Sequence, residues 1–221
     1  MTKQFEEELA KFKEVLLTMG SYAESSVSQA IQAVTQRNDK LAEQVQDNDD
    51  IMDHYEMEVD DLAINLLAKA PLATDLRLIT VAMKISQNLE RIGDEATTMA
   101  RRALELNTEP QLKAFIDIPR MAAIALSMLK ESLDSFVNKE PEKARAIIPR
   151  DKEVDALNHQ LYRELSSYMV ENPSTISRCL NLMTVSKSLE RVADHATNIA
   201  QEVVYLCEAR DIRHEAKRAL P

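Results

Sequence analysis

The chain has 221 residues and a net charge of −10, with two glycines, no tryptophan and only 4% aromatic residues. Strand-rich folds draw on glycine turns and on aromatic or β-branched runs, so a composition rich in alanine, leucine, glutamate, lysine and methionine argues against them and predicts an all-α fold. The negative charge argues against nucleic acid and anionic lipid, which are bound by basic patches, and leaves proteins and cations as fitting partners.

In the first segment apolar residues fall at Phe5, Leu9, Phe12, Leu16, Met19, Ala23, Val27, Ala30 and Val34. Steps of three and four are the stripe of an amphipathic helix. The stripe breaks at residues 37–40, where Asn38 or Asp39 caps a second helix. Pro71 ends that helix, and Thr74 or Asp75 opens a third that reaches about Leu106. Residues 107–120, "NTEPQLKAFIDIPR", hold two prolines and read as the boundary between units. The plan then repeats, with helices over about 119–139 and 142–171, and a third from about Ser174 past Tyr205. Three helices, a boundary and three more predict two tandem, pseudo-symmetric three-helix bundles, residues 1–108 and 109–221.

The opening "MTKQFEEELAKF" lacks the apolar run of a secretory signal, and no stretch approaches the roughly 20 apolar residues of a membrane span. A cytoplasmic protein without an integral membrane segment is therefore expected. Cys179 and Cys207 lie in helical patterns without metal-site or redox spacing, and are expected as reduced, packed thiols.

Residues 88–100, "NLERIGDEATTMA", and 188–200, "SLERVADHATNIA", are nearly one phrase written twice. Each holds two carboxylates at i and i+4, Glu90 with Asp94 and Glu190 with Asp194. That spacing stacks them one turn apart on one helix face, where like charges repel. A single such pair in so acidic a chain reads as a solvated face. Two more pairs change this: the preceding helix of each half carries Asp49 with Asp53, and Asp151 with Asp155. Each pair lies about twenty residues from the proline of its own half, Pro71 or Pro173, so at 1.5 Å per residue the two pairs of a half both sit about 30 Å from their shared turn. Each half therefore brings four carboxylates to one height. Their repulsion is relieved by protons or by multivalent cations that take hard oxygen ligands. Glu56 and Asn158 occupy corresponding places one turn further on, and Glu24 lies at the same height in the first helix. Bundle two has Leu126 and Ser127 at the height of Glu24, which predicts two sites that differ in metal number or affinity.

His54, His159, His195 and His214 stand in polar contexts and are expected as solvent-facing rings, with His159 and His195 the two near enough to an aspartate to ligate. Neither the Glu-x-x-His of di-iron bundles nor a phosphate loop, zinc-protease motif or nucleophile elbow is present. No catalytic residue is predicted.

The ordered set "LLTMG", "PLATDLRLI", "LERIGDEA", "DKEVDALN", "ENPSTISRCL", "LERVADHATNIA" and "ARDIRHE" resembles the PhoU family of bacterial phosphate-signalling regulators over nearly the whole chain. The resemblance implies a cytosolic negative regulator of the phosphate-starvation response and of phosphate uptake. Its implied partners are a sensor histidine kinase and the ATPase of a phosphate ABC transporter, and self-association is left open. It also implies metal held by Asp49, Asp53, Glu90 and Asp94 in one bundle and by Asp151, Asp155, Glu190 and Asp194 in the other. Iron is the metal it favours, with zinc, manganese, magnesium and calcium as alternatives. The family phrase usually continues to an asparagine, as at Asn198, whereas the first copy has Thr98. The competing class is a metal-dependent enzyme or metal store that uses the same carboxylates.

Overall fold

The computed structural model describes residues 3–69 and 71–213. Helix accounts for 89% of the described residues, and none of them forms a strand. The helices are α1 Lys3–Gln36, α2 Asp39–Asp47, α3 Asp49–Leu67, α4 Ala73–Asn107, α5 Asp117–Asn138, α6 Pro141–Ile147, α7 Asp151–Glu171 and α8 Ile176–Glu208. No helix among the described residues is long and apolar enough to cross a membrane.

The expected amphipathic stripe of α1 is buried, from Phe5 and Phe12 through Leu16, Met19, Ala23 and Val27 to Val34. Asn38 caps α2 by accepting a hydrogen bond from the Leu41 amide at 3.2 Å. With glycine so scarce, three helix ends are closed by non-glycine residues in the left-handed region, Arg37, Lys139 and Ala209. Arg37 gains a compensating contact there. Its Nη2 donates to the carbonyls of Asn107 and Glu109, at 2.9 and 2.6 Å, and ties the α1–α2 turn to the end of α4.

The second helix expected in each half is broken in two. In the first half the break falls at Asn48, which ends α2 and precedes α3. In the second, a 3-10 turn over Ile148–Arg150 separates α6 from α7. Pro149 explains the latter, because it cannot donate the amide bond that would continue α6. Both breaks place an acid of interest at the first residue of a helix, Asp49 on α3 and Asp151 on α7. The partial positive charge of a helix N-terminus favours a carboxylate there.

The halves repeat one another: α1 to α4 correspond to α5 to α8. They meet through α4 against α8, with α1 touching α5, while α3 packs on α1 and α4, and α7 packs on α8 and α5. Lys84 pairs with Glu202, and Glu95 with Arg191, so α4 and α8 run antiparallel and the two repeated phrases lie level across the seam. The buried apolar side chains form one connected core through both halves.

Candidate metal centres

The height predicted for the first quartet is visible in one contact. A Cβ at Gly93 would lie 2.8 Å from Met52 Cγ, so α3 and α4 touch between Asp49 and Asp53 on one side and Glu90 and Asp94 on the other. The second half solves the same crossing differently. Val154 stands where Met52 does, and Ala193 where Gly93 does, and all three side chains are buried. The smaller residue on one helix answers the larger on the other. Gly93→Ala is expected to cost about 1 kcal/mol, because overpacking of roughly 1–3 kcal/mol outweighs about 1 kcal/mol of gained helix propensity. Adding Met52→Val copies the second half and is expected to recover that loss in thermal unfolding.

In the second half Asp151, Asp155, Glu190 and Asp194 act on one another. Burial, with repulsion from Asp194, Asp155 and Glu190, pushes Asp151 up to about 6. Burial also raises Asp194, reinforced by Glu190 and Asp155 and opposed by Lys187 and Arg191. Asp151 Oδ1 is buried without a hydrogen-bond partner. Lys187, one turn back on α8, ion-pairs with Glu190. Asn158 is buried, and its Oδ1 accepts from the Ser186 hydroxyl at 2.6 Å.

The first quartet is the more exposed of the two. Burial raises Glu90, and Asp94, Glu56 and Asp53 add to it against Arg91. Asp94 is likewise raised by burial, with Arg91 opposing and Asp49, Asp53 and Glu95 adding. Glu56 is raised by burial and then by Asp60 and Asp53, which makes it a fifth carboxylate of this group. Arg91 lies between two of the acids, with Nε 3.3 Å from Glu90 and Nη1 3.4 Å from Asp94. Thr97 donates to Asp49 Oδ1 at 2.7 Å. Glu24 points elsewhere: it lines a groove between α1 and α5 with Ser127 and Lys130, and Lys130 and Asp134 are the charges that act on it.

Among the described residues no three His, Cys, Asp or Glu side chains stand close enough to enclose an ion as they lie. The donor set nevertheless fits a hard or borderline cation. It is all oxygen, crowded by its own charge, and in the second half it includes an orphaned buried carboxylate oxygen. In this arrangement Arg91 and Lys187 neutralise part of each group, so closure around an ion requires their side chains to swing away.

The histidines divide. His54 and His159 are exposed, and His214 lies outside the described residues. His195 is neither solvent-facing nor near an acid pair in the expected way. It is half-buried at the seam, where Nδ1 donates to Asn88 Oδ1 at 2.9 Å, and burial lowers its pKa. Beside it Arg191 Nη1 holds the buried Glu95 at 3.0 Å. His195, Arg191 and Glu95, with Arg91, Arg101, Thr97 and Thr98, line a polar cavity of about 510 Å³ between the halves that also reaches Asp49 and Asp94. Sequence spacing had no signal for this seam, since Asn88 and Glu95 find their partners only across the fold.

The PhoU domain family matches the chain twice, over residues 16–103 and 118–203. The phosphate-specific transport system accessory protein PhoU homolog of Pseudomonas aeruginosa is 38% identical over 216 residues, spanning 97% of this chain and 89% of that protein. The homolog so named in Caulobacter vibrioides is 39% identical over 201 residues, spanning 90% of this chain and 87% of that one. Among solved structures, that of PhoU from Pseudomonas aeruginosa matches with a TM-score of 0.90 at 38% identity, over 93% of this chain and all of that one. The phosphate transport system regulatory protein PhoU of Streptococcus pneumoniae matches with a TM-score of 0.88 at 26% identity, over 94% of this chain and 99% of that one.

Proposed function

The chain belongs to the PhoU family, and from that membership we propose that it regulates phosphate transport, acting as a negative regulator of phosphate uptake and of the phosphate-starvation response. The observation that carries this is the double family match, which covers both bundles, together with relatives named as accessory proteins of a phosphate-specific transport system. The work is done by contact, on the cytoplasmic side, with a sensor histidine kinase and with the ATPase of a phosphate ABC transporter. No step of bond-making chemistry is assigned to it. The relatives' names, accessory and regulatory, favour that over an enzyme.

Metal belongs to this proposal as a structural charge. Asp49, Asp53, Glu90 and Asp94, joined by Glu56, would hold ions in the first half, and Asp151, Asp155, Glu190 and Asp194 in the second. When bound, a multivalent cation supplies positive charge that cancels the repulsion within each group and braces α3 to α4 and α7 to α8. Iron is the metal favoured by family resemblance, with zinc, manganese, magnesium and calcium as competitors. Displacing Arg91 and Lys187 from their acids would free one cationic side chain in each half.

A host strain lacking the gene is expected to express a phosphate-starvation reporter in phosphate-rich medium, and the wild-type gene to silence it. The purified chain is expected to bind the host's kinase and transporter ATPase and to turn over no substrate. A silent reporter in the deletion strain overturns the regulatory reading. Turnover by metal-loaded protein, abolished by Glu90→Gln with Asp94→Asn, assigns the same carboxylates to an enzyme instead.

A further inference from the structure

Helix α3 buries Met52, Val59, Ala63 and Leu66. The opposite side of the same helix carries a second apolar line, because Met57 and Ile64 are both 60% exposed. They stand seven residues apart, two turns along one face. Asp53 and Asp60 flank that line on one side, and Asp61 and His54 on the other. Among the described residues no lysine or arginine forms an ion pair with Asp53, Asp60 or Asp61. Two exposed large apolar side chains at helical spacing, rimmed by charge, have the pattern that a helix-binding face presents.

The other half provides an internal comparison. On α7, aligned by Asp49 with Asp151, the places of Met57, Asp61 and Ile64 are taken by His159, Arg163 and Ser166, all exposed, and the exposed apolar side chains of α7, Tyr162 and Val170, stand instead at the places of Asp60 and Ala68. Two helices that share a fold and a buried side therefore differ on the side that faces outward. Core packing does not account for the difference, since Met57, Asp61, Ile64 and their three counterparts are all exposed.

We infer that the outer face of α3 is a docking surface for a basic amphipathic helix of another protein, whose apolar side chains cover Met57 and Ile64 and whose lysines or arginines meet Asp60 and Asp61. Charge selects this occupant. A second copy of the chain laid face to face on α3 would set these aspartates against themselves, and the whole chain carries −10. An acidic rim around an apolar line attracts a partner of opposite sign and repels wrong ones. The inference rests on the proposed regulatory role, and places one of its contacts on a named helix.

The test transplants the α7 surface onto α3 with Met57→His, Asp61→Arg and Ile64→Ser in the full-length chain. All three positions are exposed, so helicity and thermal stability are expected to match wild type. Binding to the host's purified kinase and transporter ATPase is measured at low and high salt. For at least one of them Kd is expected to rise roughly tenfold or more, and the wild-type interaction to weaken with salt where the variant's residual binding does not. A photo-cross-linking residue at position 57 is expected to capture a lysine- or arginine-rich helical segment, and one at position 159 is not. Unchanged affinity of the triple variant for both proteins overturns the inference and leaves the regulatory role standing. So does a cross-link from position 57 to a second copy of the chain or to an acidic segment. Failure of the wild-type protein to bind either partner overturns the regulatory role itself, and this inference with it.

Discussion

Leu189→Ala is expected to lower the stability of the whole chain by about 2–5 kcal/mol, and to do so in both halves at once. Leu189 sits in the middle of α8 with no exposed surface, and its counterpart Leu89 is equally buried in α4. Removing its branched end takes away buried apolar area and leaves a cavity that long, mutually braced helices cannot close. The loss is a large part of the roughly 5–15 kcal/mol that a folded domain has. Its reach follows from the seam. The buried side chains of the two halves make one connected core, and Lys84 with Glu202 and Glu95 with Arg191 join α4 to α8 across it. Urea unfolding followed by circular dichroism is expected to show a single transition with a lowered midpoint. Hydrogen exchange is expected to speed up in α4 as much as in α8. Two separate transitions, with only the second half weakened, would show that the repeats fold independently and that the seam contributes little.

The buried sides of these helices were legible because burial follows a period of 3.6, and a stripe such as Phe5 to Val34 states which side is inward. What the stripe does not state is the neighbour. The sequence marks α4 and α8 as amphipathic, but that each is the other's partner is a property of the assembled molecule. The same limit appears at Glu24. Counting residues from a turn gives a height, because the rise per residue is constant, and the height placed Glu24 level with the first quartet. Direction around the helix axis also matters, and Glu24 faces α5. For Met52 and Gly93 height and direction agree, and the two touch. The break at Asn48 left no mark on the pattern, since α2 and α3 keep their apolar sides inward across it and Asn48 makes no side-chain cap bond. Pro149 was such a mark, although an unbroken helix over 142–171 is what the pattern predicts, and the turn over Ile148–Arg150 is its consequence. Arg91 was legible only as a repeated arginine. Its place between Glu90 and Asp94 depends on side-chain directions that spacing allows without requiring.

Asp151→Asn with Glu190→Gln is expected to make the metal-free protein more stable at neutral pH while removing the ions proposed for the second half. The direction follows from Asp151, whose carboxyl is pushed up to about 6 by burial and by three neighbouring acids. In the unfolded chain the same carboxyl titrates near 4. Between those values the folded state holds a proton that the unfolded state has lost, so folding stability falls as pH rises through that window. Above it the protein keeps a charge that its surroundings disfavour. Below it that penalty is absent, and the contribution to stability is complete. Asp151 is only half-buried, so solvent screens the effect to something of the order of 1 kcal/mol. Wild-type protein stripped of metal is therefore expected to lose stability between about pH 4 and pH 6. The double variant, with two fewer charges in the group, is expected to show a flatter profile over the same window. Metal reverses the order of the two proteins. With cations present at neutral pH the wild-type carboxylates have their counter-charge and gain stability through binding, by an amount that grows with free metal concentration. The variant keeps only what the first quartet binds. Chelated and metal-loaded samples of both proteins, unfolded thermally at pH 4, 5, 6 and 7 with bound metal assayed alongside, give the comparison. A wild-type midpoint that is indifferent both to metal and to pH across this range would show that these four carboxylates are solvated surface charges and hold no ion.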